Sequence, residues 1–401
     1  MGPAPAGLMP GTAVFRRVSG ALFLAGFASF SLLYCVQPIL PLLARDFAVG
    51  AAESSLALSL STGFLGLAIL CAAALSEGVG RRGLMLVSLL AAASLNLLAA
   101  LATSWPALLL IRAAEGFMLG GVPAVAMAYL AEEIAPAGLG LAMGLLVGGN
   151  AFGGMVGRVL TGMLAQSLSW RAALAILGGC GLAAAAGFIL LLPPSRRFRR
   201  RPGFDPAFHL AAWRGHVLDA ALWPLFAIAF LAMGSFVAIY NYAGFRLMAP
   251  PYGLDQGQLG EIFSVYIFGI MASAAAGALV DKLGRGRVLA TGILLMGLGV
   301  VLTLWSGLTA IIAGIVVVTA GFFIISAVAS GWVGRLAGSA KGHATSLYML
   351  AFYMGSSVIG SVAGWFWSAG GWLAVVLFTL TLLALALAAA IRVDRRTSQR
   401  A

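Results

Sequence analysis

Between Val18 and Ala44 the chain carries no charged side chain, a stretch that rises about 40 Å as a helix, and eleven more apolar runs follow it. They fall near 18–44, 54–76, 84–104, 107–131, 139–166, 170–192, 220–248, 256–280, 288–306, 308–334, 342–368 and 371–391, numbered here as spans 1 to 12. Runs of about 20 apolar residues match the thickness of a bilayer. In lipid every backbone donor must be satisfied inside the structure, which leaves helices or closed barrels. The runs are long and do not alternate, so barrel strands do not fit. Composition agrees: 62% of the 401 residues are hydrophobic and 9% charged, too little charge to cover a soluble domain of this size. Span 1 follows Arg16 and Arg17 as a signal peptide would, but it is too long for one and reads as a retained span.

Lys and Arg are distributed unevenly. With an even number of spans, one set of loops holds about 19 of the 24 basic residues, while Arg45, Arg171 and Arg246 fall on the other side. That bias puts both termini in the cytoplasm. The loop at 132–140 departs from it, with Glu132 and Glu133 and no basic residue. The net charge of +12 therefore reads as a topology signal, and no nucleic-acid partner is expected. Cys35, Cys71 and Cys180 lie inside apolar runs, and the three His residues match no metal spacing, so no metal site is expected. No GxxxxGK[ST] motif points to ATP. No cofactor is expected; the proton-motive force is the expected energy source.

Two charged islands half a chain apart are copies of one loop. "AALSEGVGRRGLML" begins at Ala73 and "GALVDKLGRGRVL" at Gly277; Glu77 corresponds to Asp281, Gly80 to Gly284 and Arg81 to Arg285, each 204 residues on. "SFSLLY" from Ser29 faces "SFVAIY" from Ser235, and Gly153, Gly162 and Trp170 face Gly355, Gly364 and Trp372. Each half then has six spans, entering and leaving on one side, and a parallel repeat places a pathway between the halves. The expected fold is an all-α membrane protein of twelve transmembrane helices in two pseudo-symmetric six-helix bundles. Residues 1–192 form the N-terminal bundle, 193–219 a cytoplasmic linker and 220–401 the C-terminal bundle. The linker's arginine run suits anionic lipid or simple solvation, and 207–218 reads as a short interfacial helix.

The second island resembles the loop G-x-x-x-D-[RK]-x-G-R-[RK] between spans 2 and 3 of the major facilitator superfamily, through Gly277, Asp281, Lys282, Gly284 and Arg285. The first copy departs from it at Ala73, Glu77 and Gly78. Span count, length and repeat match as well, and "LYCVQPILPLLARDFAV" at 33–49 is similar to the YnfM-like transporters of that superfamily. The resemblance implies alternating access between rocking bundles and a gating role for the loops at Glu77, Gly80, Arg81, Asp281, Gly284 and Arg285. Topology and loop capping, with Asp281 pairing to Arg285 or Arg287, explain the same residues without gating.

"RAAEG" resembles the superfamily's fourth-span pattern R-x-x-[QE]-G, here Arg112, Glu115 and Gly116. Arg112 and Glu115 share a helix face, and Arg158 on span 5 falls at a similar depth. Charges so deep pair with one another or face a wet cavity. The expectation is an Arg112–Glu115–Arg158 cluster lining the cavity, with Glu115 as proton carrier; a structural ion pair between spans 4 and 5 is the competing reading. Gly149, Gly153 and Gly157 form two GxxxG steps on one face, a stripe for close helix packing. The spacing of Gly144, Gly153 and Gly157 resembles the fifth-span signature of proton-coupled antiporters, departing from it at Arg158 and Thr161. Tyr34, Gln37, Asn150, Tyr240 and Asn241 are polar side chains on spans 1, 5 and 7 and are expected to line the substrate cavity. Spans 6 and 12, nearly pure Ala, Leu, Val and Gly, are expected to face lipid. Pro38 and Pro41 are expected to break span 1 near the site. Arg246 and Glu261 are expected to form a surface ion pair.

Taken together, the residues point to a multi-pass secondary transporter of a bacterial inner membrane, monomeric, exporting a small organic solute or drug with proton coupling. An importer or uniporter of a small organic anion is the second reading, and a non-transporting receptor or scaffold the third. A membrane-embedded enzyme is not favoured, because no nucleophile, His or metal set converges at one membrane face.

Overall fold

A computed structural model describes residues 7–195, 197–198, 206–338 and 341–398, and among them helices account for nearly all regular structure. Ten spans follow one another from Ala13–Tyr34 to Leu308–Leu336. The last helix, Lys341–Ser398, is interrupted at Gly370 and Gly371, where φ of +59° at Gly371 suits a residue without Cβ. It thus makes two spans, 341–369 and 372–398, and the total is twelve. The first and last described residues lie on one face: Leu8 pairs with the backbone of Glu133 and Ala135 at the end of span 4, and Arg396 donates to Ala220 O at the entry of span 7. We call this the terminal face and the other the distal face.

The two charged islands fold alike. Span 2 ends at Val79 and span 3 starts at Arg81, with only Gly80 between; span 8 ends at Leu283 and span 9 starts at Arg285, with only Gly284 between. Both glycines hold positive φ, +105° and +83°, with extended ψ, a conformation that L side chains resist. The packing inside the halves also repeats. A Cβ on Gly149, Gly153 or Gly157 of span 5 would strike the backbone of Phe23, Phe27 or Ser31 on span 1 at 2.2–2.6 Å, and one on Gly355 of span 11 would strike Phe230 O of span 7 at 2.0 Å. The stripe lets two backbones touch, and Ser31 Oγ uses the proximity to donate to Gly153 O (2.9 Å).

Three spans are discontinuous. Span 1 stops at Tyr34 and resumes as Leu40–Asp46, because Gln37 N turns back to Tyr34 O and Pro38 has no N–H to give. Span 4 breaks between Leu119 and Pro123, a break the apolar run did not reveal. Span 8 starts as Gln256–Ile262, tightens through the 3-10 turn Phe263–Val265 and continues as Tyr266–Leu283. The linker contains the helix Pro206–Leu218, whose Trp213 donates to Ser346 Oγ at the start of span 11. Residues 196 and 199–201 of its arginine run lie outside the described residues.

On the distal face two arginines end helices. Arg171 donates to Ala100 O and Ala102 O after span 3; Arg246 donates to Thr303 O and Trp305 O after span 9 and stacks on Trp372. Terminal carbonyls are unpaired acceptors and draw cations. Arg246 is thereby turned away from the expected pairing with Glu261, which stays exposed.

Candidate substrate cavity and its buried charges

A cavity of about 250 Å³ lies between the two halves. Spans 1, 4, 5, 7, 8, 10 and 11 line it, and spans 2, 3, 6, 9 and 12 contribute no described lining residue. Most of the wall is aromatic or aliphatic: Tyr34, Phe236, Tyr266, Phe322 and Phe352 stand around it, with Phe236 and Phe322 stacked at 4.0 Å between centroids. Asn150, Ser273, Ser326 and Ser330 add scattered hydrogen-bonding groups. Among the described lining residues, Arg158 alone carries a fixed charge.

Arg158 is 2% exposed and held from three sides. Its Nε donates to Gln37 Oε1 (2.6 Å) and its Nη1 to Gly154 O (2.6 Å). The guanidinium lies 4.0 Å from the Tyr34 ring centroid and 4.7 Å from that of Tyr266. These ring faces favour a cation. No carboxylate lies within 4 Å of it among the described residues.

Arg112 and Glu115 are not part of this wall. Both are fully buried inside the first half and paired at 2.5 Å. The reason is the break in span 1. Gln37 N turns to Tyr34 O rather than to Leu33 O, and Leu32 O receives only the Cys35 thiol locally, so both carbonyls are left without a helix N–H. Arg112 fills both, through Nη1 at 3.3 Å and Nη2 at 2.7 Å, while its Nε reaches Ala57 O of span 2. Gly116 permits this, since a Cβ there would meet Ser61 O at 2.0 Å and push spans 2 and 4 apart. The expected three-residue cluster is therefore divided: the Arg112–Glu115 pair ties spans 1, 2 and 4 together, and Arg158 stands alone at the cavity. Glu115 Oε2 takes the ion pair, and Oε1 is buried without a hydrogen-bond partner.

The other expected cavity residues are distributed likewise. Tyr34 and Asn150 line the cavity, Asn150 resting where a Cβ on Gly26 would stand 2.3 Å from its Oδ1. Gln37 and Asn241 lie just beyond it and join the halves, Gln37 Nε2 donating to Asn241 Oδ1 at 2.7 Å. Tyr240 sits behind the wall, its hydroxyl 2.6 Å from Thr319 Oγ1 inside the second half. Tyr266, Phe322 and Phe352 went unnoticed in the sequence, where an aromatic in an apolar run carries no mark of the face it takes.

Distal to Arg158 the halves are shut. Besides the Gln37–Asn241 bond, Gln256 Nε2 donates to Pro38 O (2.6 Å) and Gln256 N to Gln166 Oε1 (3.1 Å). Spans 5 and 8 cross at two glycines; a Cβ on Gly162 would lie 2.5 Å from Gly260 Cα. Toward the terminal face the same two helices separate, and Gly140, Gly144, Gly148 and Gly277 face nothing within 4 Å. The cavity is closed distally and extends toward the terminal face past Met127 and Ser330.

The terminal-face loops differ between the halves. Arg81 forms a two-pronged ion pair with Glu132, and its Nη1 donates to Ser76 Oγ (2.8 Å). Glu133 Oε1 accepts from Arg197 N of the linker. The acidic loop that breaks the charge bias is thus held by the Arg81 guanidinium at Glu132 and by the Arg197 backbone N–H at Glu133. Among the described residues Asp281 makes no ion pair within 4 Å, where a pairing with Arg285 or Arg287 was expected, and Arg285 lies within electrostatic reach of both Asp281 and Arg335. The Glu77 side chain lies outside the described part of span 2. Among the described residues no group of three or more His, Cys, Asp or Glu is placed to hold a metal.

The family model of the Major Facilitator Superfamily matches residues 22–250 and 233–401. The chain belongs to that superfamily. It is 44% identical over 386 residues to the inner membrane transport protein YnfM of Escherichia coli, spanning 96% of this chain and 92% of the relative. It is 42% identical over 374 residues to the uncharacterized MFS-type transporter YybF of Bacillus subtilis, spanning 93% and 92%. Among solved structures, a bacterial homolog of the human lysosomal transporter Spinster, in an inward-facing and unoccupied conformation, superposes with a TM-score of 0.78 at 16% identity, covering 96% of this chain and 98% of that one. The nucleoside transporter NupG superposes at 0.76 with 13% identity, covering 94% and 99%. This superfamily member is a multi-pass membrane transporter.

Proposed function

We propose that this superfamily member exports a small organic solute across the bacterial inner membrane by alternating access, coupled to proton entry, with both termini in the cytoplasm. The observation that carries the reading is the cavity between the halves, closed distally by the Gln37–Asn241 and Gly162–Gly260 contacts and widening toward the terminal face. With the terminal face cytoplasmic, as the Lys and Arg bias expects, this is the shape that loads cargo from inside. Export then needs the distal contacts to part while the terminal ends of spans 5 and 8 come together. The inner-membrane assignment of YnfM supports the location.

Glu115 is the proposed proton carrier. Its Oε1 has no partner, so a proton added there displaces no hydrogen bond, and protonation weakens the only ion pair on Arg112. Arg112 in turn holds the broken end of span 1, the helix that carries Tyr34 and Gln37. A proton on Glu115 is thereby linked to the position of cavity residues without lying in the cavity.

The test is transport of labelled solutes into proteoliposomes, with and without an imposed pH gradient. Accumulation that depends on the gradient, and loss of solute-dependent proton flux in Glu115→Gln, are expected. Gradient-independent equilibration would remove the coupling, and unchanged proton flux in Glu115→Gln would remove Glu115 from it.

A further inference from the structure

Resting on the cavity assignment above, we infer that the cargo is a singly charged organic anion with an apolar, preferably aromatic, body, and that Arg158 is the receptor for its anionic head. The argument is one of charge balance. Among the described residues the cavity wall contains Arg158 and no Asp, Glu, Lys or His. A guanidinium out of water carries a large desolvation cost unless a counter-charge meets it. The other deep arginine, Arg112, has that counter-charge in Glu115. Arg158 has a side-chain amide, a carbonyl and two ring faces, which orient it and leave its charge unneutralised. A buried cation at the closed end of a substrate cavity therefore awaits its counter-charge from the substrate.

Three features narrow the class. One fixed cation balances one negative charge, and a dianion would bring a second charge into a wall with nothing to meet it. A cationic solute would face Arg158 with no acid to screen it, at short range in a poorly polarisable site. Below the head, Tyr34, Phe236, Tyr266, Phe322 and Phe352 present apolar faces to the body. Planar carboxylates are suited to a guanidinium fork. Such a head also competes with Gln37 Oε1 for the same donors, so docking loosens Gln37, whose Nε2 bonds to Asn241 across the distal closure. The charge that selects the cargo then also acts on the contact that must open.

The test compares head groups on a fixed body: 4-phenylbutyrate, its amide and 4-phenylbutylamine, with the 3-phenylpropionate and octanoate sets alongside. Binding to the purified protein in detergent is measured by titration calorimetry, which needs no gradient and no assumed direction. Carboxylate selectivity can thus fail while transport stands, and transport can fail while selectivity holds. The carboxylates are expected to bind more tightly than their amides and amines. Arg158→Gln is expected to weaken the carboxylates at least about 30-fold, with Arg158→Lys between the two. The inference is overturned if an amide or amine matches its carboxylate, if Arg158→Gln keeps carboxylate affinity, or if no carboxylate saturates. Should Arg158→Gln not fold, the order of the three head groups on the natural protein decides alone.

Discussion

Replacing Arg112 by methionine is expected to destabilise the protein by about 3–5 kcal/mol, the largest loss of any single side chain in the first half. The substitution strands Glu115 as an unpaired carboxylate at 0% exposure and leaves the Leu33 carbonyl in an apolar interior without a donor, while Leu32 O keeps Cys35 Sγ and Ala57 O keeps Ser61 Oγ. Two costs are combined here, and a second variant separates them. In the double substitution Arg112→Met, Glu115→Met the stranded charge is gone, and stability is expected to return in large part. The recovery stops short of complete because Leu33 O stays unsatisfied, at a cost of about 1–3 kcal/mol where no relaxation relieves it. Arg158→Met is expected to cost much less, since Arg158 borders a cavity and leaves no acid behind. Thermal unfolding of the purified protein in detergent, read as a double-mutant cycle, checks all three. A double variant as unstable as Arg112→Met alone would mean that the ion pair itself contributes nothing and the helix-end contacts everything.

That expectation could not have been framed from the chain alone, and the reason is specific. The depth of Arg112, Glu115 and Arg158 was legible, because the distance of each from its helix end follows from rise per residue. Their grouping was not, because it depends on where a guanidinium finds acceptors. The acceptors for Arg112 are backbone carbonyls freed by the turn at 35–39. The sequence shows Pro38 but not which carbonyls the turn frees, nor which neighbour fills them. The twelve spans were readable because hydropathy and length are properties of single segments, and the turn at 369–371 was marked by its glycines. The aromatic wall was hidden for the opposite reason. Phe322 on span 10 faces the cavity and Phe268 on span 8 is 49% exposed on the outside, yet both are phenylalanines in apolar runs. Glu132 and Glu133 did leave a signal, as the loop that broke the charge bias, and the structure supplies its cause in Arg81 and Arg197.

Gly162→Leu is expected to abolish transport while leaving the protein folded, by wedging the distal closure open. A Cβ alone at this position falls 2.5 Å from Gly260 Cα and 3.0 Å from Gln256 O. Both are backbone atoms that no rotamer change can move, so spans 5 and 8 must separate. The clash exists only where the halves meet distally; the same residue added at Gly144 or Gly148 of span 5 enters open space. The substitution therefore raises the free energy of the distally closed arrangement and leaves the distally open one unaffected. A penalty of about 3 kcal/mol shifts a two-state balance by more than about 100-fold, enough to trap the molecule in the other state. Thiol labelling reads the shift directly. A cysteine placed at Ser330, on the cavity's terminal side, is expected to react with a polar maleimide in the parent protein and to lose reactivity with Gly162→Leu present. A cysteine at Gln256 is expected to change the opposite way, since Gln256 is 3% exposed and its Nε2 is bonded to Pro38 O across the closed arrangement. Exposed Cys71 and Cys180 are replaced beforehand to keep the background low. If both positions label as in the parent, the Gly162–Gly260 crossing is static packing, and the distal face opens elsewhere or not at all.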